Sequence, residues 1–246
     1  MAIGLENFVC SAESNEKISR RSFLIGALSA IFLGNEGLFN ESEASRKNGR
    51  RIDYPKLKIP RLGYTPRFHE PDMRGIQLAS NDTHIGRVQR AARWRNISRA
   101  VEKRYNVPRD YLLGMICVES EGDPTQPNLG NDGGVGLIHM QPVVAASYGL
   151  RLIDNSKKLV DYRQGRKIDR TIDLHNGDLK DLIKLDDRFH PVMNIDAAGR
   201  MLADHYQRRK SWNDGFRRFS GRKTYGRKVI GYVRKLHSTR FMSQVR

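Results

Sequence analysis

A chain of 246 residues, 38% of them hydrophobic, has room for one compact domain with extensions and enough apolar content to build a core, which excludes an intrinsically disordered protein. Its formal net charge of +17 favours anionic partners. Cys10 and Cys117 are its two cysteines, so a multi-disulfide scaffold is also excluded.

The first segment reads as an export signal. Ser19-Arg20-Arg21-Ser22-Phe23-Leu24 resembles a twin-arginine motif, and fourteen uncharged residues separate Arg21 from Glu36. That stretch is short of the ~20 residues a membrane-spanning helix needs and suits the apolar core of a signal peptide. Ser42-Glu43-Ala44 offers a small-x-small cleavage site, so residues 1–44 are expected to be removed and the protein to be periplasmic or secreted, with no transmembrane segment in the mature chain. Cys10 would leave with the signal, and no internal disulfide could then form.

Residues 45–84 are rich in basic side chains and carry Pro55, Pro60, Pro66 and Pro71 without a helical or strand period, the signature of an extended arm. Thr83 is a candidate cap for the first core helix, in which Trp94, Ile97, Val101 and Tyr105 keep helical spacing. Tyr105-Asn106-Val107-Pro108 reads as a turn, with Pro108 at the first position of the next helix. In that helix the apolar spacing Leu112, Met115, Ile116 continues at Glu119, which puts a carboxyl group on the inward face.

Removal from water disfavours the ionised form of a carboxylate, and a carboxyl group that keeps its proton is what general acid catalysis requires. A structural pairing with one of the many arginines is the competing role for Glu119. Asp123-Pro124 ends the helix, and Gly130, Gly133, Gly134 and Gly136 permit close approach of backbone to a ligand, so a carboxyl at the foot of a groove is expected. Cys117 has no His-Asn or His-Asp arrangement in its neighbourhood and reads as a small buried hydrophobe. Glu121 and Asp123, just past the helix end, are candidates for a second catalytic acid, with solvated or capping roles as the favoured reading.

Pro142 is expected to open a short helix ending near Gly149. Lys158 to Ile168 reads as a hairpin turning at Gln164-Gly165, followed by a short helix over Leu179, Leu182 and Ile183. Three helices then follow: one with a stripe of Ile195, Ala198, Gly199, Leu202 and Tyr206, in which Gly199 permits a close crossing; one with Trp212, Phe216 and Phe219; and one with Val229, Tyr232, Val233 and Leu236. Residues 241–246 form a basic tail.

Tyr111 to Ser120, the following Asp123-Pro124, Gly133-Gly134-Val135-Gly136-Leu137 and the closing Pro142 resemble the catalytic core of the soluble lytic transglycosylases, members of the lysozyme-like superfamily. Asn194-Ile195-Asp196 with Gly199, Leu202 and Tyr206 is similar to that family's Asn-Ile helix. The resemblance covers roughly residues 85–240. It implies a mainly α, lysozyme-like helical domain carrying a small inserted hairpin or loop at about 155–188, where the family has a short connection. The segment is a candidate lid or partner site, or an elaboration without a role of its own.

The implied activity is cleavage of the β-1,4 bond between N-acetylmuramic acid and N-acetylglucosamine in peptidoglycan, with Glu119 as general acid and then base and a 1,6-anhydro end as product. Two alternatives stand beside it: a lysozyme-like hydrolase, and a non-catalytic peptidoglycan-binding protein. Ser120 is expected to fix Glu119 or to contact sugar. Gly136, His139, Met140 and Gln141 are expected to line the groove, with core packing as the competing role for His139 and Met140.

Two departures from the family pattern stand out. His139 occupies the position of a glutamine, although an imidazole also donates and accepts hydrogen bonds. Phe219-Ser220-Gly221 replaces Tyr-Asn-Ala-Gly, so the phenol usually found beside the acid is missing there, and Tyr225 or Tyr232 is left to supply it. No cofactor is implied, and neither His-x-x-x-His nor Cys-x-x-Cys spacing points to a metal. The expected partner is the glycan strand, with a cell-envelope secretion or conjugation apparatus as a further candidate. Nucleic acid is the rival partner, because Arg87 to Arg104 and Arg217 to Arg246 are basic with interleaved aromatics. No helix-turn-helix, zinc-finger or aromatic RNA-binding motif accompanies them, so it is not expected.

Overall fold

The computed structural model describes residues 84–128, 130, 132–154 and 158–238. The expected signal, the arm short of His84, the Thr83 cap and the basic tail lie outside the described residues. Among those described the chain is mainly helical, and β-pairing is confined to two isolated bridges, Pro127 with Val135 and Val135 with Met140.

The expected first helix is two. α1 spans His84–Ala92 and α2 spans Arg95–Tyr105, with the break at Arg93-Trp94. Trp94 is fully buried and its indole N–H donates to the Gly122 carbonyl at 2.8 Å. The apolar spacing runs through the break because Trp94 serves the core from the interhelical turn.

α3, Tyr111–Glu119, is the central element. Leu112 through Cys117 are all buried, the pattern of a helix enclosed on every side. It packs against α9, α1, α2 and α7, whose ranges are Tyr225–His237 for α9 and Pro191–Arg209 for α7. Pro108 does not occupy its first position; Asp110 stands at the cap position in the left-handed conformation at φ 64°, without a cap bond from its own side chain. The reason lies in α2: the Glu102 carboxylate accepts hydrogen bonds from the N–H groups of Asp110 and Leu112, both at 2.9 Å, and so satisfies donors that the first helical turn leaves unpaired. Burial pushes the Glu102 pKa up to about 7 against the pull of those two N–H groups.

Gly199 of α7 performs the role its position in the stripe suggests. A Cβ there would lie 2.4 Å from Cγ1 of Val101, so α7 and α2 approach too closely for any side chain at the crossing. α4 (Pro142–Ser147), α7, α8 (Trp212–Ser220) and α9 lie where the sequence places helices.

The expected hairpin at 158–168 is not formed. Instead α5 runs from Tyr162 to Leu174, and α6 from Leu179 to Leu185 matches the short helix read from the sequence. Asp161 caps α5, accepting from the N–H groups of Arg163 and Gln164 at 3.0 and 3.1 Å. Gln164, Ile168, Thr171 and Ile172 then fall on one buried face at helical spacing, which the Gln-Gly dipeptide conceals in a reading based on turn signals. Ile168, Ile172, Leu182 and Phe189 form a second small core, and the residue that joins it from the glycine-rich loop is Val135.

Candidate active site

Glu119 is the last residue of α3, and the next residue fixes it. The Ser120 hydroxyl donates to the Leu137 carbonyl at 2.8 Å and accepts from the Gly122 N–H at 3.2 Å, tying the helix end to the loop that follows. Ser120 has no exposed surface, so it holds Glu119 and does not reach a ligand.

The Glu119 side chain keeps 16% of its surface exposed, and two buried groups face it. Nδ1 of His139, on the folded-back loop, is 3.4 Å from Glu119 Oε2, with the imidazole side chain only 5% exposed. The phenol of Tyr225, the first residue of α9, is buried. Its pKa is raised well above the usual value by burial, then by the charge of Glu119 and by a hydrogen-bonding interaction with that carboxylate. The contact is close without being an aligned hydrogen bond, since Tyr225 Oη has no partner of good geometry. Phe219 and Phe216 brace the tyrosine ring, with centroids 5.5 and 6.2 Å away.

The loop presenting His139 is anchored on three sides. Asp132 accepts from the Gly134 N–H at 3.0 Å, from Asn128 Nδ2 at 2.9 Å and from Gln141 Nε2 at 2.7 Å. Asn194 of α7 accepts from the Ile138 N–H at 2.9 Å. Arg188, fully buried, forms a two-pronged pair with Asp186 at 3.0 and 2.8 Å and donates to the carbonyls of Gly133 and Met140 at 2.6 and 3.2 Å. A buried guanidinium needs such complete pairing, because removing its charge from water is otherwise too costly.

Several expected groove residues serve the protein's interior instead. Gly136 has φ +89°, and a Cβ on it would lie 2.2 Å from the Arg188 carbonyl oxygen and 2.4 Å from Asn194 Nδ2; the close approach it permits is to its own chain. Met140 is 1% exposed and belongs to the main core. Gln141 remains partly exposed beside Asp132. Tyr232 lies two helical turns beyond Tyr225, roughly 10 Å along α9, with its hydroxyl 2.9 Å from His84 Nδ1, so it is not the phenol beside Glu119.

Of the solvated or capping roles expected for Glu121 and Asp123, Asp123 takes the capping one and Glu121 neither. Glu121 pairs with Arg87 at 2.7 Å and Arg90 at 3.0 Å. Asp123 is 4% exposed and accepts from the Thr125 N–H at 2.8 Å and hydroxyl at 2.7 Å, with its pKa raised to about 6 by burial. Cys117 is buried as expected, and burial pushes its thiol pKa up.

Sequence reading missed Asp132, Asp186 and Arg188. Charged residues in loops read as solvated by default, and the one signal against that default is the adjacency of Asp186 and Arg188 to the apolar Phe189. The site as built offers one partly exposed carboxyl group, an imidazole and a phenol, which together can donate and recover a proton. No protein-family model matches the chain, and neither a curated protein nor a solved structure shows significant similarity to it.

Proposed function

We propose that this protein is an exported peptidoglycan lytic transglycosylase with a lysozyme-like helical domain. The observation that carries the proposal is the meeting of Glu119, at the exposed end of an otherwise buried helix, with the Tyr225 phenol and the His139 imidazole. These are the group types a single acid/base mechanism needs, and Tyr225 offers the phenol that Phe219 lacks.

In the proposed reaction Glu119 donates its proton to the glycosidic oxygen as the bond to C1 of the muramic acid breaks. The resulting carboxylate then takes the proton of the C6 hydroxyl while that oxygen closes on C1, giving a 1,6-anhydro end and a free 4-hydroxyl on the other fragment. Tyr225 orients the carboxyl group through its phenol. His139 flanks the carboxyl group from the loop side, its Nδ1 3.4 Å from Glu119 Oε2. Acid/base transfer of this kind contributes ~10²- to 10⁴-fold in rate.

A hydrolase of the two-carboxylate kind is the second reading, and the surroundings of Glu119 support it less. Such enzymes need a second carboxyl group to position water or attack carbon, whereas Glu121 and Asp123 are both engaged within the protein. The test is mass spectrometry of fragments released from purified peptidoglycan by residues 45–246 and by their Glu119→Gln variant. Anhydro ends that vanish in the variant are expected. Reducing ends would establish the hydrolase, and binding without fragments would leave a wall-binding protein.

A further inference from the structure

The end of α8, the turn after it and the first turns of α9 carry five exposed cations that have no ion-pair partner among the described residues. Asp214 is the last acidic residue in the sequence, and Arg217, Arg222, Lys223, Arg227 and Lys228 follow it, all exposed. None of these five has an ion-pair partner among the described residues, whereas Arg87, Arg90, Arg151, Lys167 and Lys184 each pair with a carboxylate. Like charges carried on one short stretch of chain repel one another, so an anion that settles among them relieves a standing penalty.

The position of the turn says which anion. Gly221, at φ +70°, closes α8, and the Ser220 hydroxyl accepts from the Arg222 N–H at 3.1 Å, giving the turn a fixed form. Three residues after Arg222 the chain buries Tyr225 against Glu119, and Arg227 and Lys228 stand on the outer face of the same first turns of α9. The cations therefore belong to the same stretch of chain that delivers Tyr225 to Glu119. A neutral sugar backbone gives them nothing to bind, but peptides hanging from that backbone and ending in carboxylates do.

We infer that the Arg217–Lys228 turn binds the carboxylates of the peptide stems on the glycan being cut, so that the protein prefers peptide-bearing strands to bare ones. The inference rests on the proposed function of the adjoining site. It names the part of the substrate that this surface recognises and leaves the bond-breaking step unchanged. Carboxylates on a repeating strand engage several cations at once and set the strand's position relative to Glu119.

The experiment measures binding by residues 45–246 carrying Glu119→Gln to two preparations of insoluble glycan, one with its peptides and one stripped of them by an amidase. Peptide-bearing glycan is expected to bind about tenfold more tightly, the equivalent of a few exposed ion pairs. The preference is expected to fade as salt rises toward 1 M, where the Debye length is about 3 Å. Changing Arg222, Lys223, Arg227 and Lys228 together to Gln should abolish the preference, while Arg222→Lys with Arg227→Lys should retain it. Equal binding of the two glycans by the parent at low salt overturns the inference, even if the fourfold variant does not fold. So does a preference that survives the fourfold change in a folded variant. Stronger binding to anionic vesicles or duplex DNA than to peptide-bearing glycan would assign the turn to those polymers and overturn it as well. Failure to bind either glycan would instead count against the function proposed for the whole site.

Discussion

The last residue of α3 meets the first residue of α9: the Glu119 carboxylate faces the Tyr225 phenol, and each is held by its own helix. Both side chains project from helix ends, and the end that carries Glu119 is tied to the following loop by Ser120. The tyrosine ring is further clamped by Phe216 and Phe219, so the pair is fixed before any ligand arrives.

Tyr225→Phe removes one hydroxyl and leaves that ring packing in place. We expect turnover of peptidoglycan to fall by about 10- to 100-fold, the worth of a hydrogen bond to a charged group that aligns only as the reaction proceeds, with little change in Tm. Tyr232→Phe is expected to leave turnover unchanged, since its hydroxyl is engaged by His84. Release of soluble fragments over time, measured beside thermal melts, checks both; equal losses from the two changes would remove Tyr225 from the mechanism.

Arg188→Met keeps much of the side-chain volume but strands the Asp186 carboxylate and the carbonyls of Gly133 and Met140. A loss of about 3–5 kcal/mol is expected in urea unfolding, as for other broken buried pairs. Hydrogen exchange should speed up first over residues 132–141. Uniform exchange across the chain would show that the arginine stabilises the fold without anchoring that loop.

Gly136→Ala places a methyl group in space already filled by Arg188 and Asn194, on backbone with φ +89°. Destabilisation of about 3 kcal/mol or more is expected from strain and clash together. An alanine variant of undiminished stability would show that the loop is free to rearrange.

Glu102 gives a pH dependence. Its folded pKa of about 7 lies above the ordinary 4.5, so the folded state holds the proton more tightly than the unfolded chain. The stability this contributes is fully present below about pH 4.5 and is lost as pH rises through 7, a decline on the order of a few kcal/mol. Unfolding free energies of the parent and of Glu102→Gln, measured between pH 4.5 and 8, should differ by an amount that shifts in the parent's disfavour as pH rises. A constant difference would show that the carboxyl group titrates alike in both states.

The sequence made the central helix and its acid legible because a continuous apolar run ending in one carboxylate leaves few alternatives. The last three helices were equally plain from their stripes. What surrounds Glu119 was harder to see, since His139 and Tyr225 reach it only through a loop that folds back and a helix that returns from the far end of the chain. Tyr225 and Tyr232 are one heptad apart and indistinguishable by periodicity. The 158–168 segment was misread because a Gln-Gly dipeptide signals a turn as readily as it permits a helix, and the Asp161 cap settles the choice only in context.

Val135 lies between the glycine-rich loop and the small core of α5 and α6, and that shared position rules out treating residues 155–188 as a detachable ornament. Excising them would expose Val135 and delete the arginine that grips both ends of the loop, so the shortened chain would keep its acid and lose the frame around it. A graft in the other direction would fare no better, because α5 and α6 placed on a host without this loop would lack the partner that Val135 gives to Ile168, Ile172 and Leu182. The two parts are interlocked, and a change in either sets the terms on which the other can vary.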